Sequence, residues 1–473
     1  MTQDIEKKVL EFFRKAGLKP RPLQLEAAKQ LAEMLESESN IGFEAPPGFG
    51  KTLSVLASVY AKRLFPILWR VRSYDLASRI AEDCALAGLT FYIAAGRDRT
   101  CPLVTEYKNH VHFYCRFMKY KCPYFKAITT LPDAFTYKEL INFKESCPYY
   151  IQSLLKRDVI ITPYNVGLYF DVNLEIIDEA HNAIIVESFP VAKFREALKE
   201  LSLDFHGTIF NPRYLLDVGT SRLLEILEKG GMTFTAASVL LKLQGGIKAW
   251  IEDDEVHVLK IYKPKQRAVY VSATLMPIQQ LLKIPVIRIE PTKLPAIVTL
   301  WVTSRFKDFD VIMAKNYNDI IFLLRKHFRK ILVFATSRVA SLLYRNYDDE
   351  NPPNDKESWE GVYLLLSRGK KSEGVNLNAE AVFLAGASYP PPTVDLSGFG
   401  ITNDNLVTIV AIQNIGRARR SPNAKPLVIL GDERFSKRLK HNLEVYLNIQ
   451  EADDLQTLDR LIRQQYVNLS NKK

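Results

Sequence analysis

A glycine-bearing turn between a strand and a helix constrains this chain more than any other feature. Residues 43–52 read Phe-Glu-Ala-Pro-Pro-Gly-Phe-Gly-Lys-Thr and lead directly into the helical pattern of residues 53–60. Backbone N–H groups at the start of such a helix point at anionic oxygens, and glycines let the backbone approach them closely. The sequence therefore predicts a phosphate cradle. Its residues are Pro47, Gly48, Phe49, Gly50, Lys51 and Thr52.

Two side chains of this cradle carry its predicted chemistry. Lys51 would reach the β- and γ-phosphates of a nucleotide, and the Thr52 hydroxyl would bind Mg²⁺. Ala45 stands where the strict motif begins with glycine, and the alternative is a helix N-terminus preceded by chance glycines. Upstream, Gln24 lies at the start of a helical pattern, where its amide can read the adenine edge. An ordinary glutamine on a helix surface is the alternative for that residue.

Length and composition indicate a globular protein of several domains. At 473 residues the chain is too long for one core, which predicts about two to four domains. No apolar run reaches the roughly 18 residues that cross a bilayer, so we expect no membrane contact. The N-terminus has a helical pattern and not that of a signal peptide, which predicts a cytoplasmic, reducing location. The net charge of +11 favours a polyanionic partner, with a solvated basic surface as the alternative.

Four of the five cysteines crowd into one short segment, residues 101–147, whereas Cys84 lies on the apolar side of a helical pattern. In a reducing compartment such crowding indicates metal ligation in preference to disulfides. The absence of a Cys-x-x-Cys pair disfavours a zinc ribbon and favours an iron–sulfur cluster, with zinc or unliganded thiols as alternatives. The predicted ligands are Cys101, Cys115, Cys122 and Cys147.

Basic and aromatic side chains fill the spaces between these cysteines. From residue 96 to residue 148, nine Lys or Arg stand against five Asp or Glu. Basic groups follow a phosphate backbone, and aromatic faces stack on unpaired bases. The segment therefore predicts contact with a single nucleic-acid strand. The alternative is that the rings shield the metal. Both roles are compatible, because some rings can stack on bases while others shield the metal.

An acidic pair ends a predicted strand further along the chain. The apolar run 172–177 leads into Asp-Glu-Ala-His at 178–181. Asp178 is placed to hold Mg²⁺, and Glu179 to orient or deprotonate the attacking water. His181 would couple this acidic pair to the rest of the predicted nucleotide-binding cleft. Acidic pairs at strand ends also occur by chance, although more rarely behind an apolar strand downstream of a phosphate cradle.

Two further regions follow. A helical pattern of nearly balanced charge spans 191–262 and predicts an inserted helical subdomain, and a second α/β unit begins near residue 291. Within that unit, Arg417 and Arg420 are three residues apart on a predicted helix and share one face. This geometry suits two guanidinium groups directed at one γ-phosphate. A basic helix that binds nucleic acid is the alternative.

Taken together, these motifs resemble those of superfamily 2 helicases. The glycine loop, the Asp-Glu-Ala-His (DEAH) box, Ser-Ala-Thr-Leu at 272–275, Ser-Glu-Gly-Val-Asn-Leu at 372–377 and Gln-Asn-Ile-Gly-Arg-Ala-Arg-Arg at 413–420 occur in the order of that family. With four cysteines between the first two motifs, the chain is similar to the XPD-type iron–sulfur DNA helicases, relatives of FANCJ and DinG. Its single-polypeptide layout resembles an archaeal version.

The resemblance implies an α/β fold of two RecA-like P-loop motor domains, the first of which carries an iron–sulfur insertion and a helical Arch insertion. The implied boundaries are 1–95, 149–190 and 263–290 for motor domain 1, 96–148 for the iron–sulfur cluster domain, 191–262 for the Arch-like insertion and 291–473 for motor domain 2.

The resemblance also implies an activity, in which a monomer uses ATP, Mg²⁺ and a [4Fe-4S] cluster to move 5′→3′ on single-stranded DNA and open duplex junctions in DNA repair. Gln413, Arg417 and Arg420 would complete the ATP site from the second motor domain. Glu373 and Gly374 would lie near the nucleotide and the strand. Two alternatives stay open: a non-enzymatic subunit that grips DNA in a repair or transcription assembly, and an ATP-driven translocase or remodeller without unwinding.

Overall fold

In a computed structural model of the chain, two compact units are present, one comprising residues 1–43 and 52–271 and the other residues 44–51 and 272–473. The structure describes residues 2–46, 48–117, 119–143, 145–252, 254–290, 292–305, 311–343, 347–349, 358–367, 377–389, 401–419 and 424–470. Within these ranges no helix is both long and apolar enough to cross a membrane.

The helices begin where the sequence supplies caps and apolar stripes. The helix Tyr74–Leu86, for example, follows Ser73, whose hydroxyl accepts the Leu76 N–H. The longer helices are Thr2–Lys15, Pro22–Ser37, Lys51–Lys62, Tyr74–Leu86, Val191–Glu200, Pro212–Glu228, Phe234–Leu243, Val311–His327, Asn403–Arg417 and Leu455–Ser470. The shorter helices are Arg97–Thr100, Val104–Tyr107, Val111–Phe117, Tyr137–Leu140, Pro148–Ile151, Met276–Leu282, Ser337–Ser341, Arg434–Lys437 and Lys440–Leu443, with 3₁₀ turns at Lys108–His110, Lys119–Lys121 and Ala180–Ala183.

The strands are short apolar runs, many of them rich in valine and isoleucine, which suit a pleated and buried surface. In chain order they are β1 Asn40–Glu44, β2 Ile67–Val71, β3 Phe91–Ile93, β4 Val159–Pro163, β5 Leu174–Ile177, β6 Ile184–Pro190, β7 Ile209–Phe210, β8 Gly246–Glu252, β9 Glu255–Ile261, β10 Ala268–Ser272, β11 Val286–Arg288, β12 Leu294–Thr299, β13 Lys330–Ala335, β14 Gly361–Leu366, β15 Ala381–Ala385, β16 Leu427–Gly431 and β17 Leu447–Ala452.

Seven of these strands form a sheet in the order β11-β1-β10-β5-β2-β4-β3. The pairs β10–β5, β5–β2, β2–β4 and β4–β3 are parallel. Every residue of β2, β4 and β5 is buried, as expected for a parallel sheet that is covered on both faces. Because the carboxyl ends of parallel strands meet at one edge, the segments that follow β2, β5 and β10 share that edge.

A second, antiparallel sheet is inserted between β5 and β10, in the order β6-β9-β8-β7. Three helices between 191 and 243 pack with it around a core that includes Phe189, Phe194 and Leu240. The expectation of a purely helical segment at 191–262 is therefore wrong. Strands β8 and β9 pair antiparallel and contain the apolar runs 249–251 and 258–259, which sequence reasoning did not separate from the helices before them. An Arch role for this insertion stays a prediction.

Six strands of the second unit form a sheet in the order β14-β13-β15-β16-β12-β17, with parallel pairs throughout. Buried apolar side chains, such as Phe334 on one face and Phe383 on the other, form two cores. Two parallel sheets with flanking helices confirm the predicted α/β class of two RecA-like domains. The boundaries of the four domains given above stay predictions.

Candidate nucleotide site and metal centre

The predicted phosphate cradle follows β1 and opens the helix Lys51–Lys62. Gly48 and Gly50 have φ angles of 75° and 88°, which glycine adopts without a steric penalty. The helix begins at Lys51, so the loop carries the N-terminal N–H groups of a 12-residue helix. Thr52 is the second residue of that helix. Pro47 lies outside the described residues.

The Lys51 ammonium group is held by carbonyl groups of its own loop. Lys51 Nζ donates to the carbonyl oxygens of Ala45 at 3.0 Å and Pro46 at 3.2 Å. Its positive charge is thus already directed into the loop. A phosphate oxygen carries more negative charge than a carbonyl oxygen, so it competes well for this donor.

Glu44, which sequence reasoning did not assign a role, fixes the entry to the cradle. Its side chain is 4% exposed and accepts hydrogen bonds from Leu275 N at 2.7 Å and Arg288 Nε at 2.9 Å. A buried carboxylate requires such partners. Because Leu275 ends the Ser-Ala-Thr-Leu motif, Glu44 ties that motif to the cradle. A charged residue at the end of an apolar strand was the available signal.

Asp178 lies directly after β5, and both oxygens of its carboxylate are oriented by donors. Trp69 Nε1 donates to Oδ2 at 3.2 Å, and the Glu179 N–H donates to Oδ1 at 2.8 Å. The Tyr164 hydroxyl donates to the backbone carbonyl of Asp178. An oxygen ligand that is held in this way suits Mg²⁺. Trp69 and Tyr164 were missed, although buried Trp and Tyr side chains normally need such a partner.

Glu179 and His181 continue the same loop. Glu179 has the left-handed angles φ 47° and ψ 49°, and its Oε2 accepts from Asn182 Nδ2 at 3.2 Å. Arg72 Nη1 donates to Asn182 Oδ1 at 3.4 Å, which links the ends of β2 and β5. His181 lies in the 3₁₀ turn Ala180–Ala183. The three predicted acidic-loop residues are thus brought together within one turn.

Gln24, the predicted adenine reader, has another role in this structure. The side chain is buried, and its Oε1 accepts from both the N–H and the Nε of Arg21 at 3.0 Å. This oxygen therefore caps the start of the helix Pro22–Ser37. Adenine recognition by Gln24 stays a prediction, and it would have to use the amide N–H groups.

Gln413 and Arg417 lie one turn apart on the helix Asn403–Arg417. The Nε2 atom of Gln413 is buried and meets no acceptor in the described part of the chain, and Arg417 Nη1 donates to Asn414 Oδ1 at 3.2 Å. Arg419 is 6% exposed, and burial lowers the pKa of its guanidinium group. Outside the described residues lie Arg420, Glu373 and Gly374, whose roles stay predictions.

The four predicted metal ligands differ in exposure but lie near one another. Cys101 and Cys147 are buried, whereas Cys115 and Cys122 are half-buried. Burial, with a smaller contribution from the other three thiols, raises the pKa of Cys101 to about 11. Cys84, by contrast, is buried on the helix Tyr74–Leu86 as a small apolar side chain.

Backbone N–H groups donate to two of these sulfur atoms and partly oppose the rise in pKa that burial causes. The Leu103 N–H donates to Cys101, and the N–H groups of Tyr149 and Tyr150 donate to Cys147, which favours the charged form of each. No three His, Cys, Asp or Glu side chains within the described ranges converge enough to hold one metal ion. Four thiols are the usual ligand set of an iron–sulfur cluster, and ligation of such a cluster by these cysteines stays a prediction.

Aromatic rings of this segment point both inward and outward. Phe113 is buried in the core of the insertion, whereas Tyr120 is 70% exposed. Lys119 Nζ lies 5.2 Å from the ring centre of Phe125, and Lys121 Nζ lies 5.7 Å from that of Tyr120. Exposed rings beside ammonium groups form a surface suited to stacking on bases next to phosphates.

His110 joins the cysteine-bearing segment to the insertion. Its ring is fully buried, with Nε2 accepting from the Thr233 N–H at 3.0 Å and Nδ1 lying 3.2 Å from the Tyr107 carbonyl oxygen. Because Nε2 accepts, the proton of the neutral ring sits on Nδ1 and is donated to that carbonyl. Burial lowers the pKa of His110, which favours the neutral ring.

No family model matches the chain. No curated protein matches it either. Solved structures do match. An XPD helicase structure is 18% identical with a TM-score of 0.63, over 92% of this chain and 100% of that one. An apo XPD structure is 16% identical with a TM-score of 0.58, and the match covers 90% of this chain and 100% of that one. Xpd4 of S. tokodaii is 16% identical with a TM-score of 0.58, over 91% and 100%. The chain therefore has the fold of the XPD helicases.

Proposed function

We propose that this protein is an ATP-driven DNA helicase that moves 5′→3′ along a single strand and opens duplex ahead of it. The observation that supports this most is the placement of two loops at one sheet. The cradle of Lys51 follows β1, the loop of Asp178 follows β5, and only β10 separates the two strands. In open α/β sheets ligands bind at the carboxyl ends of the strands.

The residues of these loops have complementary roles in phosphoryl transfer. Loop N–H groups and Lys51 would bind the phosphates, while Thr52 and Asp178 would hold Mg²⁺, which supplies charge neutralisation at the β- and γ-oxygens. Glu179 would accept a proton from the attacking water. Gln413, Arg417 and Arg420 are proposed to complete the site, since a guanidinium group directed at the γ-phosphate is worth about 10³–10⁵ in rate.

The nucleic-acid part of the proposal rests on charge and on exposed rings. The chain carries a net charge of +11, and the segment around Tyr120 combines exposed rings with lysines. Such a surface binds single strands through phosphate contacts and stacking. The four cysteines would hold a [4Fe-4S] cluster, which supplies a rigid cross-link of this segment. Action in DNA repair and as a monomer is proposed from the resemblance alone.

Replacement of Lys51 by alanine tests the core of this proposal. Lys51→Ala should abolish DNA-stimulated ATP turnover because the main phosphate-binding charge is lost, while binding to single-stranded DNA should stay near the wild-type level. Turnover is measured by phosphate release and binding by fluorescence anisotropy of a labelled strand. Lys62→Ala, at the other end of the same helix, is the matched control. Retained turnover in Lys51→Ala would refute the site.

A strand-displacement assay on the same samples separates the alternatives. Wild-type protein that hydrolyses ATP on DNA but displaces no strand would be a translocase or remodeller. Protein that grips DNA without hydrolysis would be a non-enzymatic subunit. The joint presence of Lys51, Asp178 and Glu179 favours the enzyme.

A further inference from the structure

A buried carboxylate on β5 holds the segment by which the insertion returns to the sheet. Glu175 is 2% exposed, and its Oε1 accepts from the Lys265 N–H at 2.8 Å and, more weakly, from the Gln266 N–H at 3.3 Å. Its Oε2 accepts from the Tyr262 hydroxyl at 2.7 Å. The Arg70 guanidinium group lies beside it, with Nε 3.6 Å from Oε2. A buried carboxylate costs free energy unless it is satisfied in this way, so these contacts act together.

The same segment contacts the acidic loop. Tyr262 N donates to the Ala183 carbonyl oxygen at 2.7 Å, and β6 begins immediately after Ala183. The entry and the exit of the insertion therefore meet at one point, which we name the insertion root and define as Ala183 and Tyr262. Ala183 ends the 3₁₀ turn Ala180–Ala183, so three residues of the chain separate the root from Glu179.

Two tyrosines connect the insertion root to Asp178. The rings of Tyr164 and Tyr262 meet edge to face with centres 5.3 Å apart. The Tyr164 hydroxyl donates to the Asp178 backbone carbonyl.

We infer that Tyr164 and Tyr262 are positioning residues that make Mg²⁺ binding at the Asp178 loop depend on the insertion root. The inference rests on the proposed role of Asp178 in holding Mg²⁺. Tyr262 holds Tyr164 in place, Tyr164 fixes the backbone of Asp178, and Asp178 presents its carboxylate.

Three tyrosine-to-phenylalanine proteins test the inference: Tyr164→Phe, Tyr262→Phe and the double variant. Each removes a hydroxyl and keeps the ring. The readout is the Mg²⁺ concentration at which half of the ADP binding is reached, measured by titration calorimetry on the full chain. We expect each single variant to need about three- to tenfold more Mg²⁺, the effect of one hydrogen bond. The double variant should need no more than the larger single change, because the two residues act in series.

Tyr317→Phe is the matched control. Tyr317 is also buried, and its hydroxyl donates to the Gly431 carbonyl oxygen at 2.7 Å in the second unit. This variant should lose comparable thermal stability but leave the Mg²⁺ midpoint unchanged. If Tyr164→Phe does not fold, Glu175→Gln replaces it, since the change weakens the acceptor of the Tyr262 hydroxyl and should also raise the midpoint.

The outcomes separate this inference from the proposed function. Unchanged midpoints in both single variants, or additive shifts in the double variant, would overturn the inference. Wild-type protein that binds ADP with Mg²⁺ but does not hydrolyse ATP on DNA would refute the helicase, while the midpoints would still decide the positioning role. Wild-type protein whose ADP binding ignores Mg²⁺ would overturn the inference.

Discussion

The acidic loop and the cysteine-bearing segment are both candidate metal-binding regions, but they are built in opposite ways. Asp178 and Glu179 directly continue β5, whose four residues are all buried, and side chains from neighbouring strands orient them. The cysteines instead lie among turns and helices of three to seven residues. Cys147 packs into a core with Leu68 of β2 and Ile160 of β4.

This difference shows where each region obtains its order. The sheet fixes the acidic loop before any ligand binds, because parallel strands bury a large apolar area. Short helices contribute little stability of their own. Bonds from the thiolates to a metal group would therefore supply much of the order of the cysteine segment, as binding free energy does in small metal-containing domains.

The largest expected effect comes from removing the negative charge of Asp178 in the acidic loop. Asp178→Asn removes the charge that attracts Mg²⁺ and keeps one oxygen, which can accept from Trp69 Nε1 or from the Glu179 N–H but not from both. ATP turnover should fall by about a hundredfold or more, since metal stabilisation of transition-state charge is worth several kcal/mol. The melting temperature should fall only slightly, since the variant loses one hydrogen bond. Asp171→Asn, at an exposed position, is the control, and equal losses in both variants would contradict the role of Asp178.

An intermediate effect concerns the cysteine segment. Cys115→Ser should abolish visible absorbance and strand displacement while leaving substantial ATP turnover, because the acidic loop does not depend on the thiolates. Absorbance, iron and zinc are measured on protein purified without oxygen. Cys84→Ser should keep the absorbance, since Cys84 is a small buried side chain of the helix Tyr74–Leu86 and is not among the predicted ligands. Strand displacement by a colourless Cys115→Ser protein would contradict a role for the cluster in opening duplex. Zinc in place of iron in the wild-type protein would support the alternative that the four cysteines bind zinc.

The smallest expected effect is a pH response at the junction of the segment and the insertion. Burial lowers the pKa of His110 in the folded protein, so protonation favours the state in which the ring is released. The contact should be complete above the ordinary histidine pKa of about 6.5 and weaken as the pH falls below it. Glu200, the carboxylate that acts on this ring, opposes the shift.

Hydrogen exchange at the Thr233 amide measures this response. As the pH falls below about 6.5, the exchange rate of this amide, corrected for its intrinsic pH dependence, should rise about two- to tenfold. This is the effect of losing one hydrogen bond. His110→Gln, which cannot titrate in this range, should exchange at a rate that does not respond to pH. An identical pH response in that variant would assign the effect to another group.

Much of this molecule follows from sequence patterns that act locally. The glycine loop, the apolar run before Asp178 and the alternation of strands and helices predicted the α/β class and the order of the site residues, because each depends on neighbours in the chain. The β hairpin at 246–261 was missed because its apolar positions follow a helical region of similar composition.

The remaining features depend on contacts between distant residues. Trp69 is 109 residues from Asp178, and Glu44 is 231 residues from Leu275, so no local pattern reports these bonds. The side-chain oxygen of Gln24 caps a helix, a role that the sequence pattern did not distinguish from adenine binding. Pairing of Arg417 with Arg420 remains a prediction, because Arg420 lies outside the described residues.

The left-handed backbone of Glu179 has a consequence for how this sequence can change over time. A residue with a side chain pays roughly 1–2 kcal/mol to hold that conformation, whereas glycine holds it freely. Selection for thermal robustness alone would thus drive position 179 toward glycine. The glutamate found at this position therefore costs the fold some stability and places a carboxylate directly after Asp178.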